Sequence, residues 1–565
     1  MRSKNLLLGL CVLMVFSLVL GCQRSSTSSV ASSNSASIVT RPGQLPIVSQ
    51  PITLTLGVRQ SVNVNNYETN YLTGWLGERT GIKMAFHMFS SVASDSNTQF
   101  ELMISAGEKL PDVMLFAPGS SGDWMVQGDN GVFIDLNPYF RDWAYFYNQR
   151  IASVSASEAI RIELLTTAIS GKRYAYPSYS QQINMPYGSM NWINKTWLDR
   201  LGLPIPKTTE EFFNTMIAFR DRNPTGTGAA TIPFAGSLSV SNGDPLFSII
   251  NSFVYHPWRG HNNFYLNVTD GKLWTPWTTE EYREALRYLN RMYREGLLHQ
   301  STFTNTTQEL GVILSYKSGE AGRVGFTSGN PTLIFFPETP AIFDFTVQPP
   351  LVGPKGVSYY PKIPNSVSAS TFITKDCAYP EAAFRWLDFM SEKETTMIAR
   401  MGELNLDWRW TRPEERAMSV FNTPAQIEVI NTLWSTPQNT HWQQVPGGFY
   451  IEGENSVQTF WKNDGSFTNL RFAMYHNLLE SYDGKDVTEQ VESILYSQDE
   501  LSTIRETRAS INTYREESLA LFITGQLSLD RDWNTYLATL DRIGLQRYLE
   551  IAQSAYTRTM ALVGK

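Results

Sequence analysis

The chain has 565 residues, 46 basic against 53 acidic side chains and a net charge of −7; 42% of it is hydrophobic and 13% aromatic. Such an acidic surface disfavours nucleic acid or anionic lipid as a partner, and three cysteines are too few for a disulfide-stapled fold. The length suffices for at least two lobes with cores of their own.

Arg2 and Lys4 precede an apolar run, Leu6 to Leu20, broken only by Gly9 and Ser17 and ending at Val19-Leu20-Gly21-Cys22. A basic start, an apolar stretch of this length and a small residue at the cut make residues 1–21 a secretory signal, too short for a comfortable permanent span. A cysteine directly after the small residue reads as a bacterial lipobox, with cleavage before Cys22 and acylation (palmitate) at that residue; an ordinary signal peptide cut elsewhere is the alternative. Several fatty chains on Cys22 anchor stably. The protein is therefore expected on the outer face of the cytoplasmic membrane, which is periplasmic where the cell has an outer membrane. Residues 22–46 follow, with eight serines between Ser25 and Ser37 and no acid, and read as a flexible tether. Cleavage removes Cys11 and acylation consumes Cys22, so Cys377 alone remains and no intramolecular disulfide can form. Loss of Arg2 and Lys4 with the signal takes the net charge from −7 to −9.

The body opens on Ile52-Thr53-Leu54-Thr55-Leu56-Gly57-Val58, whose alternation predicts a strand. A helix around Tyr71 to Arg79 stops at Gly81, and a second alternating run follows from Ile82 to Phe89. Another helix, about Thr98 to Ala106, ends at Gly107 and leads to an apolar strand over Pro111 to Phe116. Strand and helix alternating in this way predict a parallel α/β sheet. Farther on, Thr208-Thr209-Glu210-Glu211 has the spacing of a capping box ahead of Phe212, Phe213, Met216, Ile217 and Phe219. The pattern returns at Thr278-Thr279-Glu280-Glu281 before a helix that stops at Gly296. Pro380 starts a helix through Trp386, Leu387 and Met390. The last helices run near Trp533 to Leu540 and, after Gly544, from Leu545 to about Met560. No internal repeat of 20–50 residues is present.

Several of these segments resemble extracellular solute-binding proteins of family 1, in the large lipoprotein branch associated with carbohydrate ABC transporters. The resemblance is carried by the lipobox and tether, Gly107-Glu108-Lys109-Leu110-Pro111-Asp112-Val113, the segment Trp192 to Pro204, the helix within Leu273 to Leu298, Tyr379-Pro380-Glu381-Ala382-Ala383, and Phe522-Ile523-Thr524-Gly525 with the tail after it. It implies an α/β, two-lobed periplasmic-binding-protein type II fold with a hinge and an interlobe cleft. Residues 47–186 plus 358–400 would form the first lobe and 187–357 plus 401–565 the second. The implied function is that of the membrane-anchored substrate-binding component of an ABC importer, a monomer that captures an oligosaccharide in the cleft and delivers it to permease subunits. A peptide or other polar solute is the alternative ligand. Relatives that bind acidic oligosaccharides carry a calcium loop where this chain has Asn223-Pro224-Thr225-Gly226-Thr227-Gly228. The carboxylates calcium needs are absent there, so no metal and no cofactor is expected.

A secreted glycosidase or other enzyme is the rival reading. The six histidines, at 87, 256, 261, 299, 441 and 476, show no metal-ligand spacing with an acid nearby, and neither a Gly-x-Ser-x-Gly elbow nor a phosphate loop occurs. Cys377 beside a helix start reads as an inert thiol. The pairs Glu403 with Asp407 and Glu452 with Glu454 read as surface or cap groups. No catalytic residue is assigned. A sugar needs fixed hydrogen-bonding groups and aromatic planes, which makes aromatics and amides at strand ends and crossings the candidates for ligand contact: Trp124, Tyr187, Asn191, Trp192, Phe326, Asn330, Trp408, His441 and Trp442. Trp277, Trp386 and Trp533 read as structural.

Overall fold

The computed structural model describes residues 38–562 apart from 119–122, 182–186, 188, 240–242, 258–264, 337–338, 416–426, 432, 434–435, 452–473, 475–477, 479, 488 and 492. The signal segment, Cys22 and residues 23–37 of the tether lie outside the described residues. Residues 39–565 form one compact unit.

β1 (Ile52–Arg59) buries Ile52, Leu54, Leu56 and Val58 on the alternation expected. It pairs in parallel with β2 (Ile82–Phe89), Ile52 opposite Ile82. The helix between them, Tyr71–Thr80, is capped by the Asn70 side chain, which accepts the Leu72 N–H, and ends at Gly81 with φ 74°. That left-handed conformation favours glycine because it lacks a Cβ. The next helix, Ala93–Ala106, begins earlier than its apolar periodicity implies. Its polar first turn carries no core face, and there Ser96 accepts a hydrogen bond from Arg59 Nε (2.7 Å). β3 is only Val113–Met114.

β4 (Ala175–Ser180) ends the first pass through this sheet, and β5 (Asn191–Asn194) opens a second one. β6 (Ile232–Phe234), the hairpin of β7 (Asn267–Thr269) and β8 (Lys272–Trp274), β9 (Val324–Ser328) and β10 (Phe345–Val347) follow. The chain then returns in β11 (Ser366–Ile373), makes the hairpin of β12 (Trp408–Trp410) and β13 (Ile427–Val429), and adds β14 (Phe449–Tyr450). The first sheet has the order β14-β4-β11-β3-β1-β2 and the second β10-β5-β9-β6. Each sheet with its helices makes one lobe.

The second lobe gathers helices around one large core. Helix Thr209–Asp221 starts with the capping box of Thr208 and Glu211 in place. Helix Glu280–Arg294 is capped one residue later than the spacing implied, by Thr279, because residues 276–278 form a short 3-10 turn ahead of it. The C-terminal helices Gln498–Thr524, Trp533–Ile543 and Leu545–Leu562 join this core through Phe522, Trp533, Tyr536 and Tyr548, with Trp277 fully buried beside them.

Two boundaries differ from the sequence reading. Residues 438–451 pack with the first lobe, not the second: β14 pairs with β4, Trp442 lies on Phe86 and Trp386, and the Arg400 guanidinium sits 3.8 Å from the Tyr450 ring. Residues 39–46 are not tether but a strap on the first lobe. Val39 bridges Val48, and Arg385, 1% exposed on helix Pro380–Met390, donates through Nη1 to the Thr40 and Arg41 carbonyls (both 2.6 Å) and through Nη2 to Gln44 O (2.8 Å). Composition hides this, because the partner is one arginine some 340 residues away.

Candidate functional site

Strand directions locate the site. β1, β2, β3 and β4 run one way with β11 against them; β6, β9 and β10 run one way with β5 against them. The chain leaves β4 at Ser180, a carboxyl end, and enters β5 at Asn191, beside the carboxyl end of β9. It leaves β10 at Val347, again a carboxyl end, and enters β11 at Ser366, beside the carboxyl end of β4. Both crossings therefore join the carboxyl edge of one sheet to the carboxyl edge of the other. Open α/β sheets bind ligands outside these edges, where helix N-termini and strand-end loops converge.

Three tyrosines clasp the crossings. The Tyr360 and Tyr482 rings are 4.2 Å apart, and Tyr187 meets them at 5.9 and 5.1 Å. Tyr360 OH donates to Ser189 O (2.9 Å) and accepts from Asn191 Nδ2 (3.0 Å), while Tyr482 OH donates to Gln348 O (2.9 Å). Asn191 Oδ1 accepts from Ser328 Oγ (2.6 Å) and Ser189 Oγ (3.2 Å). This buried network ties the first and second crossings to the segment around Tyr482.

On the second lobe a cavity of about 520 Å³ lies at the carboxyl edge. Leu238 and Ser239 follow β6, and Phe303 to Thr306 follow a parallel bridge of Leu298 to Phe234, so both mouth segments issue from strand ends. Asn305 locks them together by donating from Nδ2 to Gly236 O (3.1 Å). The floor holds Phe247, Tyr265, Tyr282, His256 and Arg515. Arg515 is 6% exposed and lies 4.6 Å from the Tyr265 ring and 5.0 Å from that of Trp277. Its Nη2 donates to Asn512 Oδ1 (2.9 Å) and Glu516 Oε1 (3.0 Å), and its buried Nε has no hydrogen-bond partner. Burial, reinforced by the Arg515 charge, drives the His256 pKa down to about 3, so the ring is neutral. Tyr265 takes a left-handed backbone, φ 61°, uncommon for an aromatic residue.

The first lobe offers Arg59 at the end of β1. Its guanidinium lies 4.4 Å from the Phe116 ring and donates from Nε to Ser96 Oγ and from Nη2 to Asn97 Oδ1 (2.9 Å). Burial lowers its pKa.

All nine sequence-derived candidates are buried, each 5% exposed or less. Tyr187, Asn191, Trp192 and Asn330 come together at the hinge and the carboxyl edge of the second sheet, where Trp192 Nε1 donates to Gly329 O (2.7 Å). Phe326 lies between the edges of Phe212 and Phe234 in the core. Trp124 packs on Phe372 within the first lobe. Trp408 Nε1 donates to Gly402 O (2.9 Å), and Trp442 Nε1 to Thr73 Oγ1 (2.9 Å). His441 Nδ1 accepts the Gln443 N–H (3.1 Å). Trp124, Trp408, Trp442 and His441 thus lie away from the second sheet's edge. The cavity residues His256, Asp244, Asn305 and Arg515 were missed: nothing in Tyr514-Arg515-Glu516-Glu517 separates Arg515 from a solvated helix face, and Asp244, His256 and Asn305 lie in a helix cap and loops without a periodic pattern.

Among the described residues, no group of three or more His, Cys, Asp or Glu side chains is gathered as a metal site. The Asn223 loop is closed by Asn223 Oδ1, which accepts from Gly228 N–H (2.9 Å) and the Thr225 hydroxyl (3.1 Å), and Arg200 Nη1 donates to Pro224 O (2.7 Å). Burial pushes the Cys377 thiol up to about 12, which leaves it a poor nucleophile at neutral pH. Asp407 accepts the Glu403 N–H (2.8 Å) and serves as a turn cap; Glu452 and Glu454 lie outside the described residues.

Comparison with known proteins agrees with this architecture. Over 514 residues, 86% of each chain, the sequence is 23% identical to the fructooligosaccharide ABC transporter substrate-binding protein FusA of Streptococcus pneumoniae serotype 4. It is 26% identical to lipoprotein LipO of Bacillus subtilis over 53% of this chain and 51% of that one. The solved structure of FusA in complex with kestose superposes with a TM-score of 0.65 at 20% identity, covering 90% of this chain and 100% of that one. An extracellular solute-binding protein from Bifidobacterium longum subsp. infantis gives 0.70 at 19%, covering 90% and 98%. These likenesses establish the two-lobed fold. Residues 77–397, more than half of the chain, match the profile of bacterial extracellular solute-binding proteins, and the chain belongs to that family.

Proposed function

We propose that the protein is the substrate-capturing subunit of an ABC importer, lipid-anchored through Cys22, and that it binds an oligosaccharide between its lobes without catalysing a reaction. The observation that carries this reading is the joining of carboxyl edge to carboxyl edge by both crossings, with an aromatic-walled cavity that carries a few polar and charged groups at one of those edges. A ligand that touches both walls stabilises the closed arrangement, the form a permease can distinguish from the empty protein. The similarity to a fructooligosaccharide-binding and transport-associated protein over most of both chains supports the ligand class and the permease partner. Of the sequence-derived positions, Asn330, which follows β9 at the carboxyl edge of the second sheet, is the one proposed for ligand contact; Asn191 and Tyr187 belong to the hinge network.

Titrating residues 39–565 with an oligosaccharide panel, with peptides as controls, tests the reading through tryptophan fluorescence and melting temperature. A saturable fluorescence change is expected, with stabilisation of about 2.7 kcal/mol at a ligand concentration a hundred times Kd. Recovery of the sugar unchanged supports the absence of catalysis; shortened products or a response to peptides alone would overturn the reading. Cys22→Ala is expected to move the protein from the membrane to the soluble fraction.

A further inference from the structure

The second-lobe cavity has a chemistry more specific than that of a general sugar site. Its volume, about 520 Å³, lies in the range of small-ligand sites. Phe247, Tyr265, Tyr282 and Phe303 supply apolar ring surface, and Ser239, Thr304 and Asn305 supply neutral hydrogen-bonding groups. The charges are unequal. Asp244, Glu516 and Glu517 line the cavity against Arg515, and Glu516 already takes the Arg515 guanidinium at 3.0 Å. Asp244 spends one oxygen on the Leu246 and Phe247 N–H groups at the start of helix Pro245–Ile250, which fixes its carboxylate at the cavity wall. His256 adds no positive charge at neutral pH.

We propose that this cavity is an end pocket that receives a terminal unit of the oligosaccharide and selects neutral sugars over uronates. Hydroxyl groups donate to the carboxylates of Asp244 and Glu517 and accept from Arg515, while the rings cover the apolar face of the sugar; the Asn305 amide hydrogens are spent on Gly236 O and Ser301 Oγ, so that side chain fixes the mouth. A uronate would bring a fourth carboxylate against one arginine that is already paired, a like-charge approach that repels. The proposal rests on the oligosaccharide reading of the cleft, and its test separates the two.

Calorimetric titration of residues 39–565 with 1-kestose, nystose, maltotriose and xylotriose, and with trigalacturonate, supplies the probes. At least one neutral sugar is expected to bind, with trigalacturonate at least tenfold weaker. Ala520→Trp, on the helix that walls the cavity, is expected to weaken the neutral sugar at least tenfold while the melting temperature stays near that of the parent. Thr304→Trp, at the exposed mouth, serves the same purpose if the first variant fails to fold. Glu517→Gln is expected to narrow the gap between neutral and acidic probes severalfold. Neutral-sugar binding that both tryptophan variants leave unchanged overturns the end pocket and leaves the cleft reading intact. Trigalacturonate binding as tight as that of the neutral probes overturns the charge selection. Failure of every saccharide to bind the parent protein would sink the oligosaccharide reading itself.

Discussion

Removing residues 39–46 while keeping the chain from Ile47 onward takes from Arg385 the carbonyls of Thr40, Arg41 and Gln44, at 2.6, 2.6 and 2.8 Å. Hydrogen bonds from a charged donor contribute about 1.5–3 kcal/mol each, and stripping a buried charge of its partners costs about 3–5 kcal/mol. Water reaches the guanidinium once the strap is gone and recovers part of this, which leaves a loss of about 2–4 kcal/mol. With an m-value of about 3 kcal/mol/M, the first-lobe midpoint in urea falls by roughly 1 M. The assay compares residues 39–565 and 47–565, each with and without Arg385→Gln, by tryptophan fluorescence. Truncation and substitution remove the same interaction, so their effects are expected to coincide and not to add. Equal midpoints for the two fragments, or full additivity in the double change, would refute the strap. An anchored protein with its strap released gains at most about 27 Å of reach, the extended length of eight residues.

His256 makes stability depend on pH. Burial holds its folded-state pKa near 3, whereas the unfolded value is about 6.5, so the unfolded chain binds the extra proton and stability falls as pH drops from about 6.5 toward 3. The loss from this group at pH 5 is about 2 kcal/mol, and urea midpoints measured across this range should flatten in His256→Gln. Tyr360→Phe leaves Ser189 O and Asn191 Nδ2 without the hydroxyl that joins them, a loss of about 1–3 kcal/mol in thermal or chemical melts. Gly325→Ala places a Cβ 2.3 Å from Phe219 Cδ2 and 2.8 Å from Pro233 O, so it should destabilise by about 1–3 kcal/mol, with urea midpoints as the measure. Chelation with EDTA is expected to move the melting temperature by less than about 2 °C, because the Asn223 loop is closed by its own amide and by Arg200; a larger drop would mean that a metal holds it.

Local signals were strong wherever the determining physics was local. The alternation in Ile52 to Val58, the left-handed glycines at 81 and 107 and the Thr208–Glu211 cap each depend on residues within one turn or one strand, and each appears in the structure where its spacing placed it. The second cap slipped by one residue because a proline-led 3-10 turn, a tertiary accommodation around Trp277, displaced the start of the helix. The first turn of helix Ala93–Ala106 was invisible because its polar residues have no apolar period and are placed by Arg59 of the neighbouring strand.

Aromatic residues near strand ends show the limit of sequence alone. A tryptophan can serve a ligand or a backbone carbonyl with the same atoms, and Trp192, Trp408 and Trp442 each spend their N–H inside the protein. What the sequence by itself determined was the α/β alternation, most helix ends and the family. The tertiary structure alone decided that both crossings join carboxyl edges, that Arg385 straps the N-terminal segment, and that Arg515, His256, Asp244 and Asn305 share one cavity. The physical reason is separation: periodicity and caps act over a few residues, whereas these contacts join positions tens to hundreds of residues apart, and only the packing of the chain brings them together.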